Sequence, residues 1–170
     1  MNDWKSDRIA SCVTGENPTM IVRMRSGFAV MADNQFLPGY CILLRYPRVA
    51  SLSELTMEER AEYLLDTTLI GDAITAVCNP RVVNYSTLMN KDNYLHTHIE
   101  ARYDWEPEKH KYSPSWTYPE SERYANGYEF SIEKHGALQQ KLKEELERLM
   151  KKAYLVQAEA GELIYKEISQ

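Results

Sequence analysis

The chain has 170 residues, 44% of them hydrophobic and 26% charged, with a formal net charge of -5. That length allows one domain with a sizeable core and an appendage. The acidic balance excludes a general nucleic-acid coat, which needs clustered Lys and Arg, and no run of about 20 apolar residues is present to span a bilayer. The opening Met1-Asn2-Asp3-Trp4-Lys5 carries no apolar stretch, which reads against a signal peptide. Cys12, Cys41 and Cys78 are scattered and odd in number, as expected of free thiols in a cytoplasmic protein.

Ser6 to Gly15 reads as a short helix stopped by Gly15-Glu16-Asn17-Pro18. Met20 to Met24 and Phe28 to Met31 read as strands joined by a turn at Ser26-Gly27. After the Pro38-Gly39 turn, Tyr40 to Leu44 reads as a buried strand. Thr56-Met57-Glu58-Glu59 is a capping box, and a long helix follows to about Cys78. Its apolar stripe is expected at Ala61, Leu65, Leu69, Ala73 and Val77, widened by Leu64, Thr68 and Ala76.

Val82 to Leu88 is expected to be a strand, and Asn90-Lys91-Asp92-Asn93 a turn. Tyr94 to Arg102 is then the return strand. Residues 104–128 show no period and read as a long ordered loop over the domain. Trp105 and Trp116 within it are expected to pack that loop, with stacking over a base as the alternative, and His110 to be solvated. Ile132 to about Lys152 reads as an amphipathic helix with Leu138, Leu142, Leu146 and Leu149 on one side, with the tail continuing as helix around Gly161. The expected division is a domain over residues 1–130 and a helical extension over 131–170.

The return strand holds two of the chain's four histidines. Alternation places Tyr94, His96, His98, Glu100 and Arg102 on one face, with Leu95, Thr97, Ile99 and Ala101 toward the core. Two imidazoles about 7 Å apart along a strand can engage one phosphate, one as nucleophile and one as a charge stabiliser. Two other readings stay open: solvated strand residues, or a His-x-His metal pair awaiting a third ligand.

Tyr94-Leu95-His96-Thr97-His98-Ile99-Glu100-Ala101-Arg102 resembles the histidine-triad (HIT) motif, His-x-His-x-His followed by apolar residues and often Pro-Arg. Tyr94 occupies the first histidine position, His96 the second, His98 the third, and Ala101-Arg102 stands where Pro-Arg is usual. Phe28 to Met31 and Phe36 to Leu44 resemble the family's nucleotide-pocket strand, its Pro-Gly-His turn and the next strand. Val83-Asn84-Tyr85 through Asn90 is similar to bacterial members that read Leu-His-x-His, such as dinucleoside polyphosphate hydrolases. The likeness covers roughly residues 6 to 105. Ala32 stands where many members have Asn or His, and Met89-Asn90 replaces a Gly-Gln or Gly-Asn pair.

The resemblance implies an α+β fold, an antiparallel sheet of about five strands with a long packed helix and an added C-terminal helix. It implies a nucleotide-binding hydrolase or nucleotidyl transferase acting on an α-phosphate. His96 is then the nucleophile and His98 a phosphate contact, with Asn84, Asn90, Lys91 and Arg102 toward the nucleotide and Tyr94 and Glu100 supporting the histidines. No cofactor or metal is expected to be required, although a polyphosphate substrate could carry magnesium. The expected partner is a small nucleotide, with neither nucleic acid nor membrane, and the expected assembly is a homodimer to which the Leu-rich last helix adds surface. A non-catalytic nucleotide binder on the same fold is the main alternative, and a small His-x-His metalloprotein another.

Overall fold

The computed structural model describes residues 4–125 and 127–168, with side chains through residue 156. Asp7 caps the first helix, α1 (Arg8–Thr14), by accepting from the Ile9 and Ala10 amides, and Gly15 ends it in the left-handed region at φ 77°. Five strands follow in the chain: β1 (Met20–Arg23), β2 (Gly27–Met31), β3 (Cys41–Arg45), β4 (Val82–Ser86) and β5 (His96–Arg102). They form one antiparallel sheet in the order β1-β2-β3-β5-β4. The α+β architecture expected from the sequence is the one found.

The long helix α2 (Met57–Cys78) connects β3 to β4. Its N-terminus carries the complete capping box: the Glu59 amide donates to the Thr56 hydroxyl, and the Thr56 amide donates to the Glu59 carboxylate. Losing the hydroxyl in Thr56→Ala should cost about 1 kcal/mol, read as a lower denaturant midpoint with an unchanged m-value.

The buried face of α2 is rotated from the expected stripe. Ala61, Leu64, Thr68 and Ala76 are exposed, while Tyr63, Asp66, Thr67, Ile70 and Ile74 face inward beside Leu69 and Ala73. Asp66 is the reason. Its carboxylate, fully buried, accepts from the Ser26 amide and hydroxyl at 2.8 and 2.6 Å and from the Tyr154 hydroxyl at 2.7 Å. A buried charge persists only when its oxygens are satisfied, and these bonds tie α2 to the β1–β2 turn and to the last helix.

That helix, α5 (Ile132–Ile168), runs on past Lys152 through Gly161, the continuation expected of the tail. Leu142 and Leu146 are 1% exposed and enter the same core as Tyr63, Ile70 and Ile74, with Leu138 and Leu149 packed at its edge. The leucine side is therefore spent within the chain and is not a free surface for a second copy.

The two faces of the sheet have different cover. Ala29, Met31, Leu43, Ile99 and Ala101 meet α2, and Thr97 bonds the Tyr63 hydroxyl at 2.8 Å. On the reverse face, Ile9 and Cys12 of α1 cover Phe28, Val30 and Leu44, with Tyr94 at the margin. The rest of that face lies under residues 104–125, which are more ordered than a plain loop: α3 (Glu108–Lys111), a 3-10 turn at Ser115–Thr117 and α4 (Glu120–Arg123).

Candidate active site

β5 carries His96, His98, Glu100 and Arg102 on the reverse face, in register with Leu44, Ile42, Asn84 and Val82 respectively. Tyr94 lies just before the strand, and its ring is 5.2 Å from that of His96. The His96 and His98 rings are 4.9 Å apart and near-perpendicular.

The two imidazoles are held differently. His96 Nδ1 lies 2.8 Å from the Tyr94 carbonyl oxygen. A carbonyl can only accept, so Nδ1 carries a proton, and in the neutral ring that tautomer leaves the lone pair on Nε2. Tyr94 thus supports His96 through its backbone, whichever side chain it bears. His98 Nδ1 lies 2.6 Å from the Tyr40 hydroxyl. Burial, with Glu100 nearby, raises the Tyr40 pKa, so the phenol stays protonated and donates. His98 then carries its proton on Nε2, available to a phosphate oxygen.

Burial, helped by the neighbouring His96, pushes His98 down from its usual 6.5 to about 4. Above pH 6.5 both folded and unfolded chains hold a neutral His98. As pH falls toward 4, the unfolded chain takes a proton that the folded chain refuses, so stability is lost across this window. Urea melts between these limits should show a declining midpoint, and His98→Asn should remove part of the decline.

His98 opens on a cleft of about 230 Å³ walled by Phe36, Tyr40, Trp116 and Tyr124, with Glu100, Ser115 and Arg123 also lining it. Glu100 is 4% exposed and accepts from the Ser115 hydroxyl; burial raises its pKa against the pull of that bond and of Arg102. Four of its eleven lining residues, Ser115, Trp116, Arg123 and Tyr124, come from residues 115–124, where the sequence reading assigns a role to Trp116 alone. Trp116 faces the cleft and is 49% exposed, and Trp105 stacks on Tyr103 at 5.0 Å with most of its surface in solvent. Neither packs the loop from within, as had been expected. Tyr40 was likewise missed, although it follows Pro38-Gly39 where the family places a histidine.

Arg102 does not reach the cleft. It is 2% exposed, and Glu106 accepts from its Nε and from Nη2, the latter at 2.7 Å. The Asn84 side-chain oxygen and the Ser113 and His110 carbonyls take its remaining N–H groups. In place of a phosphate clamp it is the anchor of the loop, and Asn84 serves it from a neighbouring groove lined by Arg81 and Tyr112. The i, i+4 charge spacing of Arg102 and Glu106 was the available signal. His110, expected in solvent, is 7% exposed and stacks on Tyr118 at 4.1 Å.

Asn90 is exposed and lines neither of these clefts. Lys91 and Tyr94 line a further cleft of about 230 Å³ with Lys5, Arg8, Arg48, Asp7 and Asp92. Among the described residues no cluster of three or more His, Cys, Asp or Glu side chains is placed to hold a metal, and no helix is long and apolar enough to cross a membrane.

No family model matches the chain, and no curated protein matches it in sequence. Solved structures do resemble it. A histidine triad protein from Sinorhizobium meliloti 1021 superposes with a TM-score of 0.65 at 18% identity, over 85% of this chain and 96% of that one. One from Marinobacter aquaeolei VT8 gives 0.59 at 20% identity, over 76% and 89%. A hypothetical histidine triad nucleotide-binding protein from Sulfolobus tokodaii strain 7 gives 0.57 at 18% identity, over 84% and 93%. At these identities the likeness establishes the fold.

Proposed function

We propose that this chain, which has the histidine-triad fold, is a nucleotide-binding hydrolase or nucleotidyl transferase that works through a covalent intermediate on His96. The observation that carries this reading is the Tyr94 carbonyl 2.8 Å from His96 Nδ1. That contact selects the neutral tautomer whose lone pair is on Nε2, beside the neutral His98. A neutral imidazole held in one tautomer needs no base to act as nucleophile.

The nucleoside occupies the aromatic cleft, where Phe36, Tyr40, Trp116 and Tyr124 offer ring faces to a base. His96 Nε2 attacks the α-phosphorus. A bond forms between Nε2 and phosphorus, and the bond from phosphorus to the leaving group breaks, its electron pair departing with the leaving atom. His98 Nε2–H donates to a non-bridging oxygen as charge gathers there. Water then attacks phosphorus, the P–N bond breaks, its electrons return to Nε2, and the water's proton goes to solvent. The products are a nucleoside monophosphate and the leaving group.

Nucleotide release from a dinucleoside polyphosphate, followed chromatographically, tests the reading. The unmodified protein should produce the monophosphate. Tyr94→Phe should keep kcat/KM within about threefold, because a backbone carbonyl survives the change. A protein that binds nucleoside monophosphates tightly, yet turns over no phosphoanhydride or phosphoramidate, is a binding protein on this fold instead.

A further inference from the structure

We infer that Glu100 and Arg123 read the edge of the base in the aromatic cleft, and that the base they select is guanine. The inference rests on the nucleotide reading above and names the nucleoside that reading leaves open. The cleft offers a planar ligand the rings of Phe36, Tyr40, Trp116 and Tyr124. Stacking on such rings accepts any base, because every base has a π-face. Discrimination needs polar side chains among the rings. The lining has one anion and one cation for this, Glu100 and Arg123.

Glu100 is 4% exposed, yet its carboxylate is only half engaged. Oε1 accepts from the Ser115 hydroxyl. Oε2 accepts no hydrogen bond among the described residues, and it is not sealed off by the protein. Burial raises the Glu100 pKa, with Ser115 and Arg102 pulling it back, as expected of a carboxylate short of donors. A ligand that brings N–H groups satisfies such an acceptor. Arg102 does not supply them, because Glu106, Asn84 and the Ser113 and His110 carbonyls engage its N–H groups. Arg123 donates through Nε to the Tyr118 carbonyl, and its guanidinium carbon lies 5.4 Å from the centre of the Tyr124 ring. Its Nη1 and Nη2 atoms make no hydrogen bond or ion pair among the described residues. Glu100 and Arg123 do not neutralise each other, so the cleft presents an acceptor and donors together.

Position and chemistry choose the edge that is read. Glu100 lies two residues beyond His98 on β5, about 7 Å along the strand and away from His96. A phosphate held by the two imidazoles has the ribose next to it and the base farther on, so the carboxylate meets the base. Guanine carries two adjacent donors, N1–H and the 2-amino group, beside the acceptors O6 and N7. The donors fit a carboxylate, which has about four lone-pair sites, and Ser115 occupies one of them. O6 and N7 fit a guanidinium. Adenine and cytosine can give the carboxylate one N–H, but each sets a ring-nitrogen lone pair directly beside it. Uracil sets its single N–H between two carbonyls. Only guanine brings both donors to Glu100 and both acceptors to Arg123.

Titration calorimetry of the full chain with guanosine, inosine and adenosine monophosphates tests the assignment. The guanosine nucleotide should bind about tenfold or more tighter than the adenosine one. The inosine nucleotide, which lacks only the 2-amino group, should fall between them. In Glu100→Gln the preference for guanosine over adenosine should shrink to within about threefold, and the gap between guanosine and inosine should close. In Arg123→Gln guanosine binding should weaken roughly tenfold while the gap to inosine persists, since both bases keep O6 and N7. Equal affinities in the unmodified protein, or a preference that survives Glu100→Gln, would overturn the assignment and leave a nucleotide binder standing. A penalty for removing the ribose hydroxyls that disappears in Glu100→Gln would place the carboxylate on the sugar and overturn it too. Binding of none of the three nucleotides removes the nucleotide reading and this inference with it. Far-ultraviolet circular dichroism checks that the variants are folded.

Discussion

His96→Ala is expected to lower turnover of a dinucleoside polyphosphate by about a thousandfold or more, with the fold retained. The size of the loss follows from covalent chemistry. Without an imidazole at this position no nucleotidyl-enzyme forms, and water must displace the leaving group directly, with only His98 and the aromatic cleft to assist. The fold survives because the side chain makes a single hydrogen bond, to the Tyr94 carbonyl, and lies outside the main core. Steady-state release of monophosphate, together with a melting curve, gives both quantities. Full activity in the variant would remove the nucleophile assignment, and acid-stable mass added to a peptide without His96 would move it elsewhere.

Glu106→Ala should produce the largest loss of stability. Arg102 and Glu106 form a buried pair at 2.7 Å with side chains 2% and 0% exposed. Five further groups lock it: the Tyr103 amide and Tyr118 hydroxyl on the carboxylate, and the Asn84 side-chain oxygen and the Ser113 and His110 carbonyls on the guanidinium. Burial opposes ionisation of Glu106, yet Arg102 and these donors hold its pKa below the usual range. Removing the carboxylate leaves a guanidinium sealed from water without its counter-charge, at a cost of about 3–5 kcal/mol. In a chain of this size the melting temperature should fall by on the order of 10 °C. Nucleotide affinity should fall with it, because the segment that brings Ser115, Trp116 and Tyr124 to the cleft is moored to this pair. The double variant Arg102→Met/Glu106→Leu separates the two effects: it should recover much of the stability, since an apolar pair leaves no buried charge.

Much of the fold was legible because its elements obey local rules. The Thr56 capping box, the end of the long helix at Cys78 and the alternation of β5 all stand in the sequence as they stand in space. The pairing of His96 with His98 on one face followed from that alternation alone. What escaped were residues whose environment is set by distant partners. Asp66 looks like the polar side of a helix until Ser26, forty positions earlier, and Tyr154 arrive to satisfy it. Arg102 looks like a phosphate ligand until the loop folds over it. Tyr40 and Trp116 carried no periodic signal, since turns and irregular segments have none, and their place at the cleft depends on packing between elements far apart in the chain.

The alternation along β5 also determines which changes in chain length the protein can survive. Thr97 hydrogen-bonds both Tyr63 and Thr87 at 2.8 Å, one partner on α2 and one just past β4. Those bonds fix which residues look toward α2. A one-residue deletion between Leu95 and Arg102 would exchange the two sets, driving imidazoles into the core and Ile99 into the cleft. The same deletion among residues 90–93 would only shorten an exposed connection. Insertions and deletions should therefore be tolerated among residues 90–93 and forbidden from Leu95, whose amide donates to Val49 and whose carbonyl accepts from Arg45, through Arg102, a boundary that a deletion scan with a folding reporter would draw to single-residue precision.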